Sequence, residues 1–185
     1  MRHPRSPLPV TARHEGFSLV EVLVALIVLS VGLLGIAKLE SVALASITVA
    51  NGRSLAAIEA ASLADSMHVN RGFWATAAAS AQVISISGTA VTNSPASPAP
   101  DCTFGANAPC TAAGLAAYDL SIWASNLSAL LPNDQATITC NTSDPVDCLV
   151  TITWSEQAVA MNNAQAQSGT TAAIQNPTYT LYVEP

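Results

Sequence analysis

Apolar residues are distributed very unevenly along this chain. From Phe17 to Ala37, 21 consecutive positions hold a single ionisable side chain, Glu21. At ~1.5 Å of rise per residue that run makes roughly 30 Å of helix, the thickness of a bilayer's hydrocarbon core. The sequence ahead of it, with Arg2, Pro4, Arg5, Pro7 and Pro9, is basic and proline-broken and cannot belong to the same helix. Positive charge before the run predicts a cytoplasmic amino terminus and an external carboxy terminus. From Leu39 to about Asn70 the chain is rich in Ala, Leu, Ser and Glu and has no proline. Leu44, Ile47, Leu55 and Ile58 recur near a 3.6-residue period there, and Leu63 with Met67 continues a related stripe. Glu40, Arg53, Glu59 and Asp65 keep this part out of the bilayer. The pattern predicts one helix from Phe17 to about Arg71, roughly 80 Å long, with Gly72 as its stop signal.

Past that point the period changes. Residues 73–100 are rich in Ala, Ser and Thr and end in Pro95, Pro98 and Pro100, which reads as a loop over a short strand at Gln82 to Ser87. Phe73 and Trp74 are expected to pack the head onto the helix. Gln135 to Cys140 and Cys148 to Trp154 alternate as two strands around a polar turn. With Cys140 opposite Cys148 in an antiparallel hairpin, Ile138 faces Val150 and Ala136 faces Ile152. One side is then apolar, with Trp154 at its end, and the other carries Thr137, Thr139, Thr151 and Thr153. Cysteine register and hydrophobic register agree, which makes Cys140–Cys148 the better-supported pair and leaves Cys102–Cys110 as a short surface loop, although the sequence alone does not fix the connectivity. A third strand, Thr178 to Val183, closes a small antiparallel sheet. The expected fold class is α+β, a long N-terminal helix packed against a small antiparallel β-sheet head.

Composition sharpens this. Charged residues make up 10 % of the 185, half of the chain is apolar, and the mean hydropathy is +0.40. A soluble domain usually carries about 25 % charge, so the chain either holds a membrane segment or lives packed among other subunits. A formal net charge of -6 gives nucleic-acid binding no electrostatic footing. Four cysteines in a segment expected to be exported point to disulfides in an oxidising compartment. No pair has C-x-x-C spacing, and His3, His14 and His68 are distant in sequence, which argues against zinc. Neither a nucleophile–base arrangement nor a phosphate loop is present, so neither an enzyme nor a cofactor is expected.

Glu21 is the position that needs a function. A carboxylate in hydrocarbon costs about 2.5–3.5 kcal/mol even on lenient insertion scales, and its partner should be nameable. The residues Gly16-Phe17-Ser18-Leu19-Val20-Glu21, followed by Val22-Leu23-Val24-Ala25-Leu26, resemble the prepilin signature of type IV pilins and type II secretion pseudopilins. The resemblance implies a prepilin peptidase cutting between Gly16 and Phe17 on the cytoplasmic side and N-methylating the new Phe17 amine. Glycine at the cut lets a protease approach the backbone closely. It also implies that Glu21 pairs with a neighbouring subunit's terminal ammonium and sets register during assembly.

The continuation Leu29-Ser30-Val31-Gly32-Leu33-Leu34-Gly35, with Leu63-Ala64-Asp65, Met67 and Asn70 further on, is similar to the pilus-modification (PilV-like) minor pilins. The two matches cover about the first 71 residues. Major pilins usually carry a helix-kinking proline, and this chain has none between Pro9 and Pro95. The implied organisation is a cleaved leader 1–16, an assembly helix 17–38, its amphipathic continuation 39–71 and a β-rich head 72–185. Removing the leader leaves three basic and eleven acidic residues, a net charge of -8. The implied function is that of a minor pilin, contributing to assembly initiation or a tip complex and so to adhesion or twitching motility. Its partners would be the prepilin peptidase, other major and minor pilins, the inner-membrane assembly platform and a tip adhesin. It would sit in the inner membrane before assembly and in the periplasm or the extracellular fibre afterwards. Two alternatives stand beside this: a pseudopilin of a secretion piston, and an uncleaved membrane-anchored binding module.

Overall fold

The computed structural model describes residues 16, 18–81, 83–103, 110–157 and 174–185. They form three helices, α1 (Leu19–Val69), α2 (Arg71–Trp74) and α3 (Ala112–Leu130), and seven strands: β1 (Ile84–Ser87), β2 (Ala90–Thr92), β3 (Gln135–Cys140), β4 (Cys148–Thr153), β5 (Glu156–Gln157), β6 (Ile174–Gln175) and β7 (Thr178–Val183). The chain divides into two units, residues 1–43 and 44–185, and α1 begins in the first and ends in the second. The architecture is α+β, with an antiparallel five-stranded sheet ordered β2-β1-β3-β4-β7 and a separate β5–β6 pair.

Proline-free, alanine- and leucine-rich sequence keeps α1 unbroken through Gly32 and Gly35. It stops at Val69, before the predicted Gly72, because Asn70 takes over. The Asn70 carbonyl accepts the amides of Phe73 and Trp74 at 3.1 and 3.2 Å and so starts α2. Its side-chain Nδ2 donates to the Ala112 carbonyl at 2.8 Å, tying the end of α1 to the start of α3. A short amide side chain that bonds outside its own helix competes with helix continuation. Gly72 lies within α2 instead.

The face of α1 that packs against the head keeps part of the expected stripe, Leu63 and Met67 with Leu55 beside them, and adds Ala56 and Ala60. Ala56, Ala60, Leu63 and Met67 are sealed at 0–1 % exposure, whereas Leu44, Ile47 and Ile58 remain 59–65 % exposed. Small side chains on this face leave room for side chains of α3 and the sheet to reach α1, and Leu44, Ile47 and Ile58 point elsewhere. Trp123 of α3 marks that approach, donating Nε1–H to the Glu59 carbonyl at 2.8 Å.

α3 has no counterpart among the sequence expectations. Thr111 caps it, its Oγ1 accepting the Gly114 amide at 3.0 Å. Its buried positions (Ala116, Leu120, Trp123, Ala124, Leu127) follow helical spacing. They meet Leu63 and Met67 of α1, Phe73 and Trp74 of α2, and the inner sheet face in one continuous core. Phe73 and Trp74 are both buried and contact each other edge-to-face, with ring centroids 5.0 Å apart.

In the sheet, β3 and β4 pair in the expected register, Cys140 with Cys148, Ile138 with Val150 and Ala136 with Ile152. Trp154 is buried at the end of that face. Disulfides join Cys140 to Cys148 and Cys102 to Cys110. β7 pairs with β4. The strand expected at Gln82 to Ser87 runs Ile84–Ser87, with Gln82 outside the described residues, and turns through Gly88 into the unanticipated β2. Gly88 has φ +57°, a conformation that a two-residue hairpin loop demands and glycine supplies without strain.

The two candidate faces of α1 separate by mutation. Met67→Ala is expected to cost about 2–5 kcal/mol of unfolding free energy, and Ile58→Ala within about 0.5 kcal/mol. Denaturant titration of the full chain in detergent measures both, and equal costs would mean that the buried face is wrongly assigned.

Candidate functional site

The site suggested by the sequence is the start of α1. Gly16 is exposed, and among the described residues a Cβ built on it would meet nothing within 4 Å. Phe17 lies outside the described residues. Among the described residues α1 starts at Leu19, after Ser18, and this defines the setting of Glu21. The Ser18 carbonyl receives the Glu21 amide at 3.0 Å and the Val22 amide at 3.3 Å, which places Glu21 in the first turn. There its negative charge meets the positive end of the helix dipole. Ser18 and Glu21 have the S-x-x-E spacing of a capping box, a signal the sequence reading passed over because it attended to the hydrophobic run. Glu21 is exposed, and among the described residues no side chain pairs with it.

Around it α1 is apolar on every side. Its most apolar 18-residue window has a mean hydropathy of 2.8 and is entirely unburied, so length and composition suffice to cross a membrane. Val22, Leu26, Leu29 and Leu33 are 49–65 % exposed. At Gly32 and Gly35 a Cβ would touch nothing within 4 Å, so both leave their backbone open to whatever packs there.

In the second unit, chemistry-bearing side chains serve the fold. Arg53 Nη2 donates to Glu156 Oε1 at 2.7 Å; the arginine is largely exposed and the glutamate side chain 8 % exposed. Beside it, Trp154 Nε1 stands 3.4 Å from where a Gly52 Cβ would sit, so glycine admits the indole edge against α1. Burial pushes the carboxyls of Glu59, Asp119 and Asp134 above their ordinary pKa. Amide and hydroxyl donation from Thr103 holds Asp101 below its own. Among the described residues no group of three or more His, Cys, Asp or Glu side chains is placed to hold a metal ion.

Comparison with known proteins bears on the first site. Residues 11–37 match the prokaryotic N-terminal methylation motif. That match supports a type IV pilin-like or pseudopilin protein and suggests a structural subunit. It implies processing by prepilin peptidase and assembly with other pilins, and with the apolar helix it suggests membrane anchoring first. No curated protein and no solved structure matches the chain.

The three raised carboxyls give a pH dependence of known sign. A carboxyl whose folded pKa exceeds its unfolded value holds its proton more tightly in the fold. Its contribution to stability is full below the ordinary carboxylate pKa and is lost as pH rises through the raised value. As pH rises above the ordinary carboxylate range of about 4, the Glu59→Gln/Asp119→Asn double variant is expected to lose less stability than the wild type. Thermal melts of both in detergent read the difference, and parallel curves would refute it.

Proposed function

We propose that the chain is a minor pilin, made as a precursor and built into a type IV pilus as an accessory subunit near its tip. The observation that carries the reading is the first turn of α1, where an accessible glycine, a helix start and one carboxylate lie together at the head of an all-round apolar helix. In this scheme the prepilin peptidase cuts between Gly16 and Phe17 on the cytoplasmic side and methylates the Phe17 amine. Residues 17–38 hold the subunit in the inner membrane, residues 39–71 continue the helix, and the head lies in the periplasm until assembly carries it outward.

Glu21 acts as a register device. In a bundle of apolar helices, a carboxylate and a terminal ammonium attract strongly, and either one left alone is expensive. A subunit therefore enters at the depth where its Glu21 meets a neighbour's Phe17 amine. Support for an accessory place comes from the helix itself, which runs from Leu19 to Val69 without a proline. Adhesion and twitching motility would follow from the assembly this subunit promotes.

Glu21→Val is expected to leave cleavage and methylation intact, with a mature protein that begins at Phe17 and is one methyl group heavier than the bare peptide. Its recovery in sheared fibres should fall about tenfold or more, since stranding the neighbour's ammonium costs roughly 3–5 kcal/mol. Mass spectrometry of the membrane-bound subunit and immunoblots of the fibre fraction measure the two separately. An intact Met1, or wild-type incorporation of Glu21→Val, would defeat the reading. Co-purification with secretion components instead of fibres would assign the subunit to a secretion piston.

A further inference from the structure

The five-stranded sheet has two edges, and they are treated differently. β2 is three residues long and α3 packs against it. β7 is twice that length, Thr178-Tyr-Thr-Leu-Tyr-Val183, with no charge, proline or glycine inside it. It pairs with β4 without a bulge, from Cys148 opposite Val183 to Thr153 opposite Thr178. On its other side, among the described residues, it makes no backbone hydrogen bond. Proteins usually blunt such an edge with a short strand, a lysine, a proline or a bulge, because unpaired N–H and C=O groups recruit another strand. β7 uses none of these.

The core adds a second observation. Inward side chains on the inner strands are sealed, with Ile138 1 % exposed and Val150 and Ile152 0 %. Their neighbours across the ladder, Leu181 and Tyr179, belong to the same apolar layer but stay partly open. The apolar face thus runs one strand further than its cover.

We infer that the β7 edge is a docking site for an extended segment of a different subunit, which adds to the sheet as a sixth strand and covers Tyr179 and Leu181. Charge selects the occupant. Residues 44–185 contain Arg53 and Arg71 against nine acidic residues, and Arg53 is already tied to Glu156. A second copy would bring like charge to like, and exposed Glu184 lies directly beyond the edge. The fitting segment alternates apolar and polar residues and carries lysine or arginine. Main-chain bonds would give affinity, and the alternate side chains over Tyr179 and Leu181 would give selectivity. This inference does not depend on the role assigned to α1.

The test uses full-length protein in detergent micelles and amide hydrogen exchange over residues 178–183. The probes are a synthetic peptide of alternating valine and threonine with flanking lysines, the same peptide with glutamates for the lysines, and the same peptide with a central proline. Alone, alternate β7 amides should exchange without protection. With the lysine peptide they should slow by about tenfold or more and saturate with peptide concentration. The glutamate peptide should protect far less and the proline peptide not at all. Four results would overturn the inference: outward amides protected in the dilute free protein, protection rising with the protein's own concentration, equal protection by all three peptides, or none.

Discussion

Everything in residues 44–185 depends on one burial, that of the narrow Ala56–Ala60–Leu63–Met67 face of α1. Isolated helices owe little of their stability to propensity, and most comes from packing one face. Here that face is built half from alanine and joins the core shared with α3 and the inner sheet face. Two indoles reach the same helix: Trp123 donates to the Glu59 carbonyl, and Trp154 Nε1 stands 3.4 Å from where a Gly52 Cβ would sit. The same helix is apolar on all sides from Leu19 to Ala37, where no face is chosen, and becomes one-sided only where the head supplies a partner.

Two further devices fix what that burial leaves free. Asn70, 6 % exposed, spends its side chain on the Ala112 carbonyl and its own carbonyl on α2, so three helices meet at one residue. Cys140–Cys148 clamps the far end of the central hairpin, opposite the Trp154 end, so the register of β3 against β4 is held from both sides. A slip of one residue would turn every inward side chain to the solvent face. All of these residues lie outside the segment matched by the methylation motif.

The parts of the fold legible in the sequence were those where two independent constraints coincide. The hairpin was legible because cysteine spacing and period-2 alternation give the same register. The apolar run was legible because bilayer thickness and a lone carboxylate mark the same segment. Misreadings came where one signal stood alone. Large aliphatics at a 3.6-residue period led to Leu55, Leu63 and Met67, which pack, and also to Leu44, Ile47 and Ile58, which do not; Ala56 and Ala60 were missed because alanine carries little weight in such a pattern. α3 is written in the same vocabulary of alanine and serine, its Leu120, Trp123 and Leu127 spread thinly among small residues, so its period did not rise above the surrounding loop. The stop at Asn70 needed a partner 42 positions away, which no local pattern contains. At the candidate site, the sequence raised Gly16, Phe17 and Glu21 as expectations, while the carboxylate's place in the first turn of α1 came from the backbone.

That only residues 11–37 match a known motif has a physical counterpart. A peptidase that must read the chain at the bilayer surface, and a hydrocarbon layer of fixed thickness, impose the same demands on any protein that uses them. A glycine, a spanning run and one carboxylate satisfy those demands almost completely. The head answers to no such shared solvent. Its demands are to cover one face of a helix and to present a surface to particular neighbours, and many sequences meet the first. Its individuality therefore lies where the fold does not need the residue it has: the uncharged β7 edge, the half-open Tyr179 and Leu181, and the excess of acid over base. An edge of that kind is a liability in a lone subunit and becomes an asset only in company. A protein that kept it while sealing Val150 and Ile152 beside it is shaped for the company.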